Sequence, residues 1–92
     1  MYYVTDLSPI QGYVSKLGQL KIIVEVRGKG WGYWIQQDGK EIARHVPCWL
    51  WNQTAESARI EAVERALELL GWQADAEVIS KLLEWKPYGP ER

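Results

Sequence analysis

A two-residue hydrophobic repeat between Leu20 and Arg27 is the strongest structural signal in this sequence. Every second side chain of this segment is apolar, at Leu20, Ile22, Val24 and Val26. Because successive side chains of a strand point to opposite faces of a sheet, the repeat predicts a strand buried on one face. A glycine-rich turn follows, and residues 31–37 are predicted as the next strand. The chain is therefore expected to fold around a β-sheet.

The dipeptide Asp38-Gly39 predicts a tight hairpin after the second strand. This dipeptide readily takes the two positive φ angles that a two-residue hairpin turn requires. A third strand is thus predicted from Lys40 to Val46, before Pro47, which cannot donate a ladder hydrogen bond. In the resulting register, Ile35 faces Ile42, Trp34 faces Ala43, Tyr33 faces Arg44 and Trp31 faces Val46.

Three helices are predicted beside these strands. The first covers residues 8–17, with Ser8-Pro9 at its start, Gly18 as a left-handed C-cap, and apolar residues at helical spacing (Ile10, Tyr13, Val14, Leu17). The longest runs from an N-cap near Thr54 to Gly71, and two adjacent apolar stripes predict that a broad face is buried. The third covers residues 74–85, with Val78, Ile79, Leu82 and Trp85 on one face.

Length and composition favour one small domain over residues 1–92, and the predicted strands and helices make it α+β. The chain has 92 residues, 47% of them hydrophobic, and a net charge of -1. No apolar run reaches the roughly 18 residues of a membrane helix, and no signal peptide is recognisable, so a cytoplasmic location without membrane contact is expected. One cysteine excludes an internal disulfide, and with one histidine it cannot complete a four-ligand zinc site. No metal or cofactor is expected.

Residues 8–71 resemble a double-stranded RNA-binding domain. The resemblance rests on the opening Ser8-Pro9-Ile10-Gln11, on the interval from Leu20 to Thr54, and on the small residues of the following helix (Ala55, Ala58, Ala62, Ala66). It implies an α-β-β-β-α fold, in which a three-stranded antiparallel sheet carries both helices on one face. Residues 74–85 would add a C-terminal helix to that core.

The same resemblance implies where RNA contacts would lie. The family's second helix begins with lysines that hold phosphates, whereas the matching positions here include Glu56, which would repel a phosphate near the helix N-terminus. The family's loop between the first two strands carries a proline and a histidine, and residues 27–30 carry neither. The candidate nucleic-acid-binding residues are Gln11, Ser15, Lys16, Lys21, Arg27, Lys29, Trp31 and Arg59, with Trp31 as a stacking surface. Alternatively, the glycines only permit the turn.

Because that lysine cluster is missing, the leading hypothesis is a non-catalytic interaction module that contacts another protein or a second copy of itself. The candidate partner-binding residues are Trp49, Leu50, Trp51 and Trp85, since tryptophan is frequent in binding hot spots. The alternative structural role for these side chains is to complete the hydrophobic core. Weak binding of double-stranded RNA, or of DNA, through the basic loop is the alternative function. The distribution of charge limits any nucleic-acid-binding surface to a local basic patch, because residues 1–53 carry a net charge of +2 and residues 54–92 carry −3.

Two enzymatic interpretations are weaker. His45 and Cys48 are three residues apart, but Pro47 separates their predicted strand and loop, and no third catalytic group follows. Residues 30–70 also resemble the centre of ribonuclease H, with Asp6 and Glu56 or Glu61 in the places of its acids. That fold needs a longer five-stranded sheet and more converging carboxylates than the chain offers. No catalytic residue is expected.

Overall fold

The computed structural model describes residues 11–27, 30–44 and 54–88, which form an α+β structure. Its elements, in chain order, are β1 (Gly12–Leu17), β2 (Leu20–Arg27), β3 (Gly30–Gln37), β4 (Lys40–Arg44), α1 (Ala55–Leu70), α2 (Ala76–Leu82) and β5 (Lys86–Tyr88). The five strands form one antiparallel sheet in the order β4-β3-β2-β1-β5. The sequence analysis predicted three strands, two fewer than the described residues contain.

The prediction of a helix over residues 8–17 was wrong from Gly12 onward, because residues 12–17 form β1. The strand buries alternate residues instead of a helical stripe. Ser15 and Leu17 are both buried and lie on the same face of the sheet as the buried residues of β2. Gly18 does adopt the predicted left-handed conformation, with φ 61°, but in the turn between β1 and β2 rather than at a helix end.

A close approach of three strands explains Gly12. A Cβ at this position would lie 2.5 Å from the carbonyl oxygen of Val24 and 2.6 Å from the hydroxyl of Tyr88. Only glycine fits at such a distance without movement of its neighbours. Gly12, which would weaken a helix, is thus required by the packing of the sheet.

The Asp38-Gly39 turn is confirmed, with φ 54° and 80°, but the register beyond it contains a bulge. Next to the turn, Gln37 faces Lys40 and Gln36 faces Glu41. Beyond these pairs, Ile35 faces Ala43 and Trp34 faces Arg44, so the predicted pairs Trp34–Ala43 and Tyr33–Arg44 were wrong. Ile42 is the extra residue of the bulge and is 41% exposed, so its predicted pairing with Ile35 was wrong. The described part of β4 ends at Arg44, and Val46 lies outside the described residues.

The core forms where α1 packs across β2 and β3. Its sheet side is built from large aliphatic residues and its helix side mostly from small ones, including Ile22, Val24, Ile35, Ala58, Ala62 and Ala66, which are all fully buried. The alanines let the helix lie close to the sheet. Both ends of α1 agree with the sequence prediction, since Thr54 caps the backbone N–H of Ser57 and Gly71 takes a left-handed φ of 72°.

The predicted third helix is shorter than its hydrophobic pattern indicates. Asp75 caps α2, which packs against α1 and ends at Leu82. Ile79 and Trp85 pack against the core, whereas Val78 and Leu82 are 51% and 75% exposed. The segment after α2 contributes β5, where Pro87 is tolerated because β5 is an edge strand.

The element order over the described residues begins with a strand and places a fifth strand after α2. The specific arrangement of a double-stranded RNA-binding domain is therefore not confirmed. None of the described helices has the length and apolar character needed to cross a membrane.

Candidate functional site

The sheet has two chemically different faces. Residues opposite each other in an antiparallel sheet point to the same side, so the register assigns each side chain to a face. One face holds the core under α1. The other, here called the open face, carries Val14, Lys16, Lys21, Ile23, Glu25, Trp34, Gln36, Glu41, Arg44 and Lys86. Among the described elements, none packs on the open face.

Three half-buried apolar side chains cross the middle of the open face. Val14 of β1 faces Ile23 of β2, which in turn faces Trp34 of β3, and these three residues are called the apolar row. Lys86 continues the row on β5 and Arg44 continues it on β4. The apolar row is thus bounded by a basic side chain at each end.

Two lysines face each other beside the apolar row. Lys16 and Lys21 are directly opposite in the register of β1 and β2, and both are exposed. Like charges directly opposite each other destabilise a sheet. Neither lysine, nor Lys86, forms an ion pair with any residue of the described segments. An anion bound here would relieve this repulsion.

The fourth basic side chain of the open face has a carboxylate partner. The guanidinium of Arg44 donates from Nε to Glu41 at 2.6 Å and from Nη2 at 3.0 Å. This hydrogen bond lowers the pKa of the Glu41 carboxyl and raises the pKa of Arg44. The bulge at Ile42 makes the pair possible, because residues three apart in a regular strand point to opposite faces. Arg44 is therefore less available to a ligand than the three lysines.

A small cleft lies at the border of the open face, where the pairing between β1 and β5 stops at Val14. The cleft has a volume of about 320 Å³ and is lined by Val14, Ser15, Lys16, Glu84 and Lys86. The Ser15 hydroxyl donates to the backbone oxygen of Glu84 at 2.8 Å. This bond fixes the chain that leads into β5 and so positions Lys86 beside β1.

Charge is segregated between the two layers of the molecule. Among the residues whose side chains are described, the open face carries four basic and two acidic ones, whereas residues 54–84 carry three basic and seven acidic ones. Within the described residues, the open face is therefore net positive and the helical layer is net negative. Such a distribution orients the molecule toward an anionic ligand on the sheet side.

On the helix side, Arg59 joins three aromatic residues into a cluster. Its guanidinium carbon lies 4.8 Å from the ring centre of Tyr13 and 5.8 Å from that of Trp85. Tyr13 stacks on Trp31 with ring centres 6.0 Å apart, and the Trp85 indole donates to the backbone oxygen of Ser80 at 2.8 Å. Cation–π contacts of this kind tie α1 to the sheet.

The structure separates the predicted nucleic-acid-binding residues. Lys16 and Lys21 lie together on the open face, whereas Trp31 and Arg59 meet in the aromatic cluster. Ser15 is buried and bonded, and the Gln11 side chain donates to Glu25 at 2.9 Å. Arg27 ends β2, and Lys29 lies outside the described residues.

The predicted partner-binding residues are only partly placed. Trp85 is half-buried and packs against the core, which is the structural role given above as the alternative. Trp49, Leu50 and Trp51 lie outside the described residues, as do His45, Cys48 and Asp6.

Sequence reasoning missed most of the open face. Val14 was assigned to a helix, and Trp34, Arg44 and Lys86 were not singled out as site residues. The alternation of β2 was a usable signal for Lys21 and Ile23. No local pattern marks Lys86, because β5 is only three residues long and is defined by its partner.

The described part of the chain contains no group of three or more His, Cys, Asp or Glu residues that could hold a metal ion. Comparisons with protein-family models, with curated proteins and with solved structures found no match to this chain.

Proposed function

We propose that this protein is a non-catalytic module that binds nucleic acid on the open face of its sheet. The observation that carries the proposal is the pair Lys16 and Lys21, which face each other without a carboxylate partner in the described segments. Lys86 adds a third such cation across the cleft. Phosphate groups complement these charges, and phosphate contacts supply most of the affinity in non-specific nucleic-acid binding.

The helix side is a poor alternative surface for a polyanion. Glu56 is exposed in the first turn of α1, and the helical layer has an excess of four acidic residues. The one cation at the predicted second-helix position, Arg59, is covered by the rings of Tyr13 and Trp85. These features support binding through the sheet rather than through the helix of the double-stranded RNA-binding family.

The test is a charge reversal on the open face with a matched reversal on the helix side. Lys16→Glu places a carboxylate opposite Lys21, so the variant is expected to fold, because opposite charges at facing positions are favourable. Binding of a labelled oligonucleotide is measured by fluorescence anisotropy at several salt concentrations. Loss of one phosphate contact should weaken binding and reduce the slope of log affinity against log salt by about 0.7–0.9.

Lys81→Glu on α2 is the control, since it changes net charge equally at an exposed position on the other side. It should leave the salt slope unchanged. An equal loss of oligonucleotide affinity in both variants would mean that binding depends on the net charge of the protein and not on the open face. Absence of binding by the unmodified protein at about 10–100 μM in low salt would reject nucleic-acid binding altogether.

A second candidate function is self-association through α2, which develops the hypothesis of a protein-interaction module. Val78 and Leu82 are one helical turn apart and are 51% and 75% exposed. The Lys81–Glu77 ion pair lies beside them, with its atoms 3.4 Å apart. An apolar pair with a polar border is typical of a small protein contact.

A further inference from the structure

We infer that the open face binds single-stranded rather than duplex nucleic acid, with bases against the apolar row and phosphates on the lysines next to it. This inference rests on the proposed function and names its ligand class. It follows from where the apolar and the basic side chains lie relative to each other.

The lysines of the open face lie on one side and at one end of the apolar row, whereas Glu25 lies on the other side. Lys86 lies at one end of the apolar row, and Lys16 and Lys21 lie beside it. A duplex presents phosphates and sugars outward and keeps its base faces stacked inside. Pressed onto this face, it would bring polar backbone against Val14 and Ile23 and bury those groups without partners.

A single strand has the complementary arrangement. Its base faces are apolar and free to stack on protein side chains, and its phosphates lie to one side of the bases. The lysine pair is two residues along the strands from Val14 and Ile23, which corresponds to about 7 Å. Bases on the apolar row would therefore leave phosphates within reach of the lysines.

The width of the sheet limits the length of the bound segment. Five strands spaced about 4.8 Å apart place Lys86 and Arg44 about 19 Å apart across the sheet. This distance suits a short stretch of a few nucleotides running across the strands. Binding is expected to tolerate different base sequences, because apolar contacts with base faces carry no hydrogen-bond pattern.

The experiment compares three probes of equal length: a single-stranded oligodeoxynucleotide, its duplex, and an abasic strand with the same phosphates. The complete chain is titrated with each by fluorescence anisotropy at one salt concentration. The single strand is expected to bind about tenfold more tightly than the other two, since only it offers accessible base faces. Ile23→Ser should weaken binding of the normal single strand and leave binding of the abasic strand unchanged.

Leu69→Ser is the matched control, because it makes a similar apolar-to-polar change at an exposed position of α1, away from the open face and from the exposed pair on α2. Duplex binding as tight as single-strand binding, or equal binding of the abasic strand, would overturn this inference and leave the proposed function intact. If none of the three probes binds, the proposed function fails as well. The probe comparison uses the unmodified protein, so it decides the question even if Ile23→Ser is unstable.

Discussion

At the residue scale, Gly12 shows how one position reports a long-range contact. Its neighbours in space are Val24, twelve residues away, and Tyr88 at the other end of the described chain. In a helix this glycine would lower stability, whereas in the sheet any larger residue at this position would collide with the backbone of Val24. A locally unfavourable residue therefore marks the place where three strands meet.

Gly12→Ala is predicted to lower the free energy of unfolding by about 1–3 kcal/mol, because the new methyl group overpacks against a main-chain oxygen that cannot rotate away. For a domain of this size, each kcal/mol corresponds to a fall in Tm of about 4–8 °C. Thermal unfolding followed by circular dichroism measures the change. The exposed Gln73→Ala serves as control, with an expected change within about 0.5 kcal/mol. A Gly12→Ala variant as stable as the unmodified chain would contradict the close approach.

At the element scale, the β3–β4 hairpin combines a predictable turn with an unpredictable bulge. The positive φ angles of Asp38 and Gly39 follow from local chemistry. The bulge instead depends on which side chains fit the core, since it places Ala43 on the buried side and leaves Ile42 outside. It also brings Glu41 and Arg44 together and interrupts a strand at the edge of the sheet.

Deletion of Ile42 is predicted to preserve the fold and remove the bulge. Glu41 would still face Gln36 and Ala43 would still face Ile35, but in a regular ladder. Contacts between Ile35 and Ala43 in NMR spectra measure the register, and light scattering should show more association, because a flat edge strand pairs more readily. Deletion of Gly39 is the control, since it removes a residue from the turn and should destabilise the hairpin. An unfolded Ile42-deletion variant would show that the bulge is required for folding.

At the scale of the whole molecule, the two layers divide the chemistry between them. The sheet offers cations and an apolar row, and the helical layer offers acids together with the exposed Val78 and Leu82. The two candidate functions therefore use different surfaces. A variant on one surface should leave the function of the other unchanged.

Leu82→Glu is predicted to abolish self-association through α2 without changing oligonucleotide binding, because the new carboxylate is desolvated only in the assembled state. Sedimentation velocity over a range of protein concentrations measures the association. Ser57→Glu, in the first turn of α1, adds a negative charge elsewhere on the helical layer and should not change the mass. An unmodified chain that sediments as a monomer at every concentration would remove self-association as a function.

Local signals in the sequence determined β2, the Asp38-Gly39 turn and α1 with its caps, since each depends on neighbouring residues. Tertiary structure alone decided the identities of β1 and β5, because a strand is defined by its partner. Ser15, for example, bonds to Glu84, which is 69 residues away along the chain. The open face depends on those same pairings: Lys16 and Lys86 share a cleft only because the two ends of the described chain meet in one sheet.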